Sequence, residues 1–263
     1  MECIIQLNHH HRSRERIRDL GEVFTPEGYV SEMLRVLETT PGFSWDSEQV
    51  VFFEPCCGHG NIVIEIFLKR LEALFYKSII HNSKDHAAFY AVANAINLLW
   101  AIDIDPENII DCRGRLLRES VNFLMRKLNI SNYNHLFKKD KNYMAHLLCA
   151  IKWHIQKNEM LSAITSVKKL SKSNAYKTKV SRDWLIENKH QPINFELTWI
   201  AHFKKQAQKN STPALFKQAL KFVEEADSNI SLENNIFDFA RFLLVQNFNQ
   251  FKKMDSETIW SQI

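Results

Sequence analysis

Glycine and proline are scarce in this chain, six of each in 263 residues, which excludes collagen-like and glycine-rich low-complexity architectures and makes each glycine worth placing. No apolar run approaches the ~18 to 20 residues that a membrane span needs. The opening residues 1–16 carry neither the apolar stretch nor the small-residue cleavage site of a secretory leader. The five cysteines (Cys3, Cys56, Cys57, Cys112, Cys149) are odd in number and include a vicinal pair, so a secreted disulfide framework is not expected. These absences predict a soluble protein of a reducing cytoplasm. Apolar residues make up 45% and charged residues 24%, close to the globular average, so the chain has material for a core. Lys and Arg exceed Asp and Glu by 34 to 30, a balance that suits nucleic acid without demanding it.

The N-terminal part is basic: His9, His10 and His11 precede Arg12, Arg14, Arg16 and Arg18, most simply a solvated helical face. The segment Gly21-Glu22-Val23-Phe24-Thr25-Pro26 then reads as a turn, with Thr25 the expected N-cap and Pro26 in the first turn of an amphipathic helix over 29–37. Val30, Met33, Leu34 and Leu37 form its predicted apolar side. The continuous run 49–53, rich in Val and Phe, predicts a strand buried on both faces. It stops at Glu54-Pro55-Cys56-Cys57-Gly58-His59-Gly60-Asn61. From Ile62 a helical period follows, with Ile64, Phe67, Leu68, Leu71, Leu74 and Phe75 inward and Glu65, Lys69, Arg70 and Glu72 outward.

A second helix over 85–97 feeds the strand 98–102. Asp105 as cap and Pro106 as first residue then begin a helix reaching about Leu128. Apolar strands alternating with helices predict a parallel sheet with helices packed on it. Later, 144–155 reads as a helix ending in a short strand, 194–200 as a further strand, and the chain from His202 onward as helical, with Phe216, Leu220 and Val223 in register. The acid-free basic stretch 167–182 is either a solvated loop or a phosphate contact. The phenylalanine-rich stretch 237–251 is more apolar than a free surface should be.

A glycine turn between a buried strand and a helix does particular work. Gly58 and Gly60 let the backbone bend sharply and let a ligand lie against it, while the amides opening the next helix offer donors to an anionic group. An acid at the end of the second strand sits beside the same crevice and can accept from ribose hydroxyls, and Asp103 holds that place. The three-glycine dinucleotide fingerprint is incomplete, because its last position is Val63.

In this order the residues resemble the class I S-adenosylmethionine-dependent DNA adenine-N6 methyltransferases of restriction-modification systems. The segment 21–26 is similar to their first cofactor motif, which implies that Phe24, Thr25 and Pro26 lie over the methionine moiety. The segment 54–60 resembles their Asp-Pro-Ala-Cys-Gly-Ser-Gly turn, which implies cofactor contacts from Glu54, Pro55, Cys57, Gly58 and Gly60. It departs from that turn at Glu54, Cys56 and His59. Residues 101–105 resemble their second acidic strand end, implying that Asp103, with Ile104 beside it, holds the ribose. Residues 155–161 resemble a further stretch whose acid contacts the cofactor's adenine, which puts Glu159 in that role; the alternative is an ordinary surface glutamate.

The resemblance covers roughly residues 15–130. It implies an α/β fold with a Rossmann-like class I methyltransferase sheet, incomplete in this chain, over 1–203, and a helical C-terminal segment over 204–263. The implied cofactor is S-adenosyl-L-methionine and the implied partner double-stranded DNA with a target adenine. The family's catalytic Asn-Pro-Pro-Tyr is missing, since no Pro-Pro occurs anywhere. The nearest segment by position, 195–203, resembles the family's Phe-Asp-Leu strand but ends in Ala-His-Phe.

The chain therefore reads as the cofactor-binding part of an enzyme whose catalytic motif lies on a second chain, as a truncated product, or as a degenerate relative. A non-catalytic module binding DNA or a protein is the alternative of a different class, and a methyltransferase for RNA or protein is a third. Cys56, Cys57 and His59 lack a second ligand pair at metal spacing, so no metal is expected. Trp100, Trp153, Trp184 and Trp199 read as core or interface rather than base-stacking residues, and His202 as structural.

Overall fold

Three short parallel strands lie in the spatial order β1 (Phe52–Glu54), β2 (Leu99–Asp103), β3 (Ile155–Lys157), with Phe53 opposite Trp100 and Asp103 opposite Lys157. The computed structural model describes residues 25–164 and 191–225, with Val180, Asp183, Trp184, Glu187, Asn188 and the backbone of 251–252. Phe24, the histidine and arginine run, nearly all of the basic stretch 167–182 and residues 237–250 fall outside it. The described part is mostly helical around this small parallel sheet. None of its helices is long and apolar enough to cross a membrane.

Helix α1 (Glu27–Glu38) starts on Pro26 rather than on Thr25. Pro26 is extended (φ −60°, ψ 147°) and its carbonyl accepts from the amides of Tyr29 and Val30, so the proline is itself the cap and Thr25 supplies no capping bond. Proline has no N–H to leave unsatisfied at such a position. Val30 and Leu34 are buried, whereas Met33, at the edge of the predicted stripe, is 51% exposed. The predicted strand 49–53 shrinks to β1. Val51 is exposed and Phe53 and Glu54 are only half-buried, so the run is not buried on both faces.

The turn leads into α2 (Asn61–Ser78), whose Ile64, Phe67, Leu71, Leu74 and Phe75 are buried as the helical period requires. Arg70, expected on the solvated face, is fully buried. Its guanidinium donates to the carbonyls of Trp45 and Ser47, each at 3.0 Å, and so fastens the loop before β1. Burial pulls its pKa down to about 10.

Helix α3 (Lys84–Asn97) opens on Ser83, whose hydroxyl accepts from the His86 amide. Helix α4 (Pro106–Leu128) opens as its sequence dictates: Asp105 accepts from the Glu107 amide at 3.0 Å and Pro106 takes the first position. Helices α5 (Asn134–Lys139) and α6 (Lys141–His154) bring the chain to β3. Side chains alternate across the sheet. Leu99 and Ala101 belong to the buried cluster of α2, α3, α4 and α6, while Trp100 points the other way, onto His154 and Phe195.

After the short α7 (Met160–Ile164), the strand expected over 194–200 does not form. Thr198 caps α8 (Trp199–Ala207) by accepting from the Ala201 amide at 3.2 Å. The apolar run there belongs to a helix, and Thr198 is its start signal. A two-residue pairing of β4 (Thr212–Pro213) with β5 (Phe251–Lys252) flanks α9 (Ala214–Glu225). Leu215, Phe216, Ala219 and Val223 of α9 join the main buried cluster against α6. The boundary drawn between residues 203 and 204 falls inside α8.

Candidate functional site at the carboxyl ends of the strands

The turn 55–60 is a bend only glycine makes easily. Gly58 has φ 52° and Gly60 φ 98°, in the left-handed region that side chains disfavour. Gly60 is constrained twice, since a Cβ there would stand 2.8 Å from the Cys112 Sγ on α4. The turn closes on itself through the Gly60 amide, which donates to the Cys57 carbonyl at 2.9 Å, and joins the sheet through the Cys57 amide, which donates to Ile102. Cys57 is buried. A hydrogen bond with Cys112 and burial hold its thiol well above the usual range. Beyond Gly60, the first amides of α2 have no partner within the helix and face the same end of the molecule.

Asp103, the last residue of β2, meets this turn directly. The Gly58 amide donates to its Oδ2 at 2.9 Å; the Asp105 amide and the Asn108 Nδ2 donate to its Oδ1 at 2.8 and 3.3 Å. Burial raises the carboxyl above its ordinary pKa even though these three donors favour the ionised form. Ile104 is the half-buried bend that follows.

Glu54, at the end of β1, accepts from the Cys56 amide at 3.2 Å. Its pKa is raised by burial and by the charge of Asp103, against the lowering effect of that bond. Pro55 is half-buried beside it. The Cys56 thiol reaches solvent at the mouth of this acidic end. Partial burial, then the charges of Asp103, Glu54 and Glu159, push it up to about 11.

Glu159 is buried, not a surface glutamate, and it follows β3. The Asn158 amide donates to the Asp103 carbonyl at 3.0 Å, which brings the ends of β2 and β3 together. The Glu159 Oε2 accepts from the Ser162 amide at 2.9 Å and so opens α7.

Thr25 reaches the turn from the other side: the Asn61 Nδ2 donates to its carbonyl at 3.3 Å. Thr25, the turn 54–60, Asp103, Ile104 and Glu159 therefore gather at one end of the sheet, with Pro26 beginning α1 there. In open parallel sheets, ligands lie at this carboxyl end.

Asn61, Asn108, Arg115 and Asn158 also join this end of the sheet, although none is a candidate site residue from the sequence. Asn108 was within reach, because the first turn of a helix that follows directly on a strand can bend back to the strand's last residue. Arg115 carried no local signal. Its Nη1 donates to the His59 carbonyl at 3.0 Å and to the Asn61 Oδ1 at 2.9 Å across the helix–turn gap. The four tryptophans are packing residues or half-buried; Trp100 and Trp199 are fully buried. Half-buried His202 lies against Trp153, ring centroids 4.4 Å apart. Among the described residues, no group of three or more His, Cys, Asp and Glu is arranged to hold a metal ion.

Set against protein-family models, curated proteins and solved structures, the chain finds no significant match in any of the three.

Proposed function

We propose that this chain is the S-adenosylmethionine-binding part of a DNA adenine-N6 methyltransferase, built on one half of a Rossmann-like sheet. The observation that carries this reading is the 2.9 Å bond from the Gly58 amide to Asp103, which sets the acid of β2 against the glycine turn of β1. The strand order β1-β2-β3 supports it, because a doubly wound half-sheet advances in this way from its ligand crevice.

The donor set suits a nucleoside. A carboxylate offers about four lone-pair sites. Asp103 uses three of them within the chain, so one ribose hydroxyl finds an acceptor at once and a second finds one by displacing Asn108, the longest of the three bonds. A glycine turn lets a ligand lie against the main chain, and the opening amides of α2 suit a carboxylate or other anionic group. Thr25 and Pro26 close the methionine side, and Glu159 stands at the adenine side. The bound cofactor would supply an electrophilic methyl group on sulfur. The chain's own share is to orient that group, to exclude water and to hold the ribose.

Residues 195–203 form a turn and a helix rather than a strand carrying an amine-polarising motif. We accordingly assign the target adenine and its acceptors to a second chain, with DNA as the shared substrate. Calorimetry with S-adenosylmethionine tests the first half of the reading: micromolar binding is expected, lost in Asp103→Ala. Tritiated methyl transfer to unmodified DNA tests the second, with little activity expected from this chain alone and more on adding the product of the adjoining reading frame. A second reading, a non-catalytic module of the same fold, is favoured by the three internal bonds of Asp103, which hold the turn without help from a ligand. It prevails if the folded protein gives no binding heat.

A further inference from the structure

Arg115 is a half-buried cation on α4, and among the described residues no carboxylate pairs with it. It is directed instead at two neutral acceptors of the glycine turn, the His59 carbonyl and the Asn61 Oδ1. A guanidinium carries donors only, so Asn61 must present its oxygen to Arg115. The amide cannot be flipped without setting N–H against N–H. Its Nδ2 is thereby left facing the other way, where it donates to the Thr25 carbonyl at 3.3 Å. One side chain of α4 thus fixes the orientation of a second, at the first position of α2, and the second holds the segment entering α1. None of the three bonds belongs to the hydrophobic core.

We propose that Arg115 and Asn61 are positioning residues of this site: they hold Thr25–Pro26 over the glycine turn and thereby set the affinity for the amino-acid end of the ligand. The proposal rests on the reading that the turn binds S-adenosylmethionine. It assigns Asp103 to the nucleoside end and the Arg115–Asn61–Thr25 relay to the methionine end, and the two ends separate experimentally.

The test compares S-adenosylmethionine with 5′-methylthioadenosine, which keeps the nucleoside and lacks the amino-acid tail, by calorimetry and by thermal melting. Asn61→Asp is the sharpest variant. It keeps the acceptor for Arg115, places a favourable charge at a helix N-terminus and removes the donor to Thr25. S-adenosylmethionine should bind it about tenfold more weakly, as expected for one lost hydrogen bond, with methylthioadenosine affinity and melting temperature held. Asn61→Ala, which removes the donor to Thr25 without adding a charge beside the ligand's carboxylate, should behave alike, as should Arg115→Ala, whereas Asp103→Ala should weaken both ligands. Equal losses for the two ligands in Asn61→Asp, or no loss for either, would overturn the relay while leaving the cofactor reading intact. A wild-type protein that binds neither ligand would overturn both.

Discussion

At the scale of single residues, the site depends on Gly60 more than on any charged group. Its φ of 98° and the Cys112 sulfur 2.8 Å from where a Cβ would sit are independent objections to a side chain. Gly60→Ala should therefore destabilise the fold by about 1–3 kcal/mol, the range for a residue forced into the left-handed region, and urea unfolding measures it. Removing the steric objection with Cys112→Ala should recover only part of that loss, because the backbone strain remains. Asp103 and Gly60 were both legible in the sequence, since a turn between a strand and a helix is local and an acid at the next strand end is one step away. The burial of Arg70 and of Glu159 was not, although the resemblance had put Glu159 at this site. Their burial depends on the carbonyls of Trp45 and Ser47 and on the packing around β3, which no nearby residue announces.

At the scale of elements, α8 hangs on two neutral histidines of α6. The Trp199 amide donates to the His154 Nε2 and the Trp199 indole to the His146 Nδ1, both at 3.1 Å. A nitrogen that accepts cannot carry a proton, and burial holds both imidazoles down to about 3. Unfolded, each would titrate near its ordinary value of about 6.5. Folded stability is therefore whole above pH ~6.5 and falls, by roughly 1 kcal/mol per pH unit for each histidine, as the pH drops below that value.

Asp103 and Glu54, whose values are raised by burial, act with the opposite sign, since protonation relieves their cost. Denaturant titrations at pH 7.0 and 5.5 should show the loss, and His154→Gln, which keeps an acceptor, should reduce it by about half, His146 supplying the rest; an unchanged pH dependence in that variant would contradict the assignment. Nothing local announces the pairing, because Trp199 stands 45 and 53 residues from its two partners and the apolar run 194–200 reads equally as strand or helix. The start of α4 is the contrasting case. Asp105 and Pro106 determine it locally, and the predicted start and end both stand.

At the scale of the whole molecule, the parallel sheet is too small to hold the chain together by itself. Helix α9 supplies part of what it lacks, with Leu215, Phe216, Ala219 and Val223 buried against α6. Burying three large apolar side chains is worth roughly 5 kcal/mol, a large fraction of a typical domain's net stability. A chain ending after Ala207 should thus lose cooperative melting, followed by circular dichroism; a cooperative transition within a few degrees of the full-length protein would show that α9 is dispensable. The alternation of strands and helices made the parallel sheet readable in advance. The helical pattern from His202 onward made it readable as incomplete as well, and among the described residues it has three strands; the loss of the strand expected over 194–200 was not readable, because that apolar pattern suits both structures.

The sulfur of Cys112 beneath Gly60 has a consequence for variation at a position that touches no ligand. The bend has a floor, and that floor is one residue of a neighbouring helix. Alanine or serine at position 112 leaves the bend its room, whereas a branched or longer side chain would press the main chain of the turn away from α4. A saturation scan of position 112 should accordingly tolerate small residues and reject valine, threonine and leucine, as though that site and the glycine it supports were a single position.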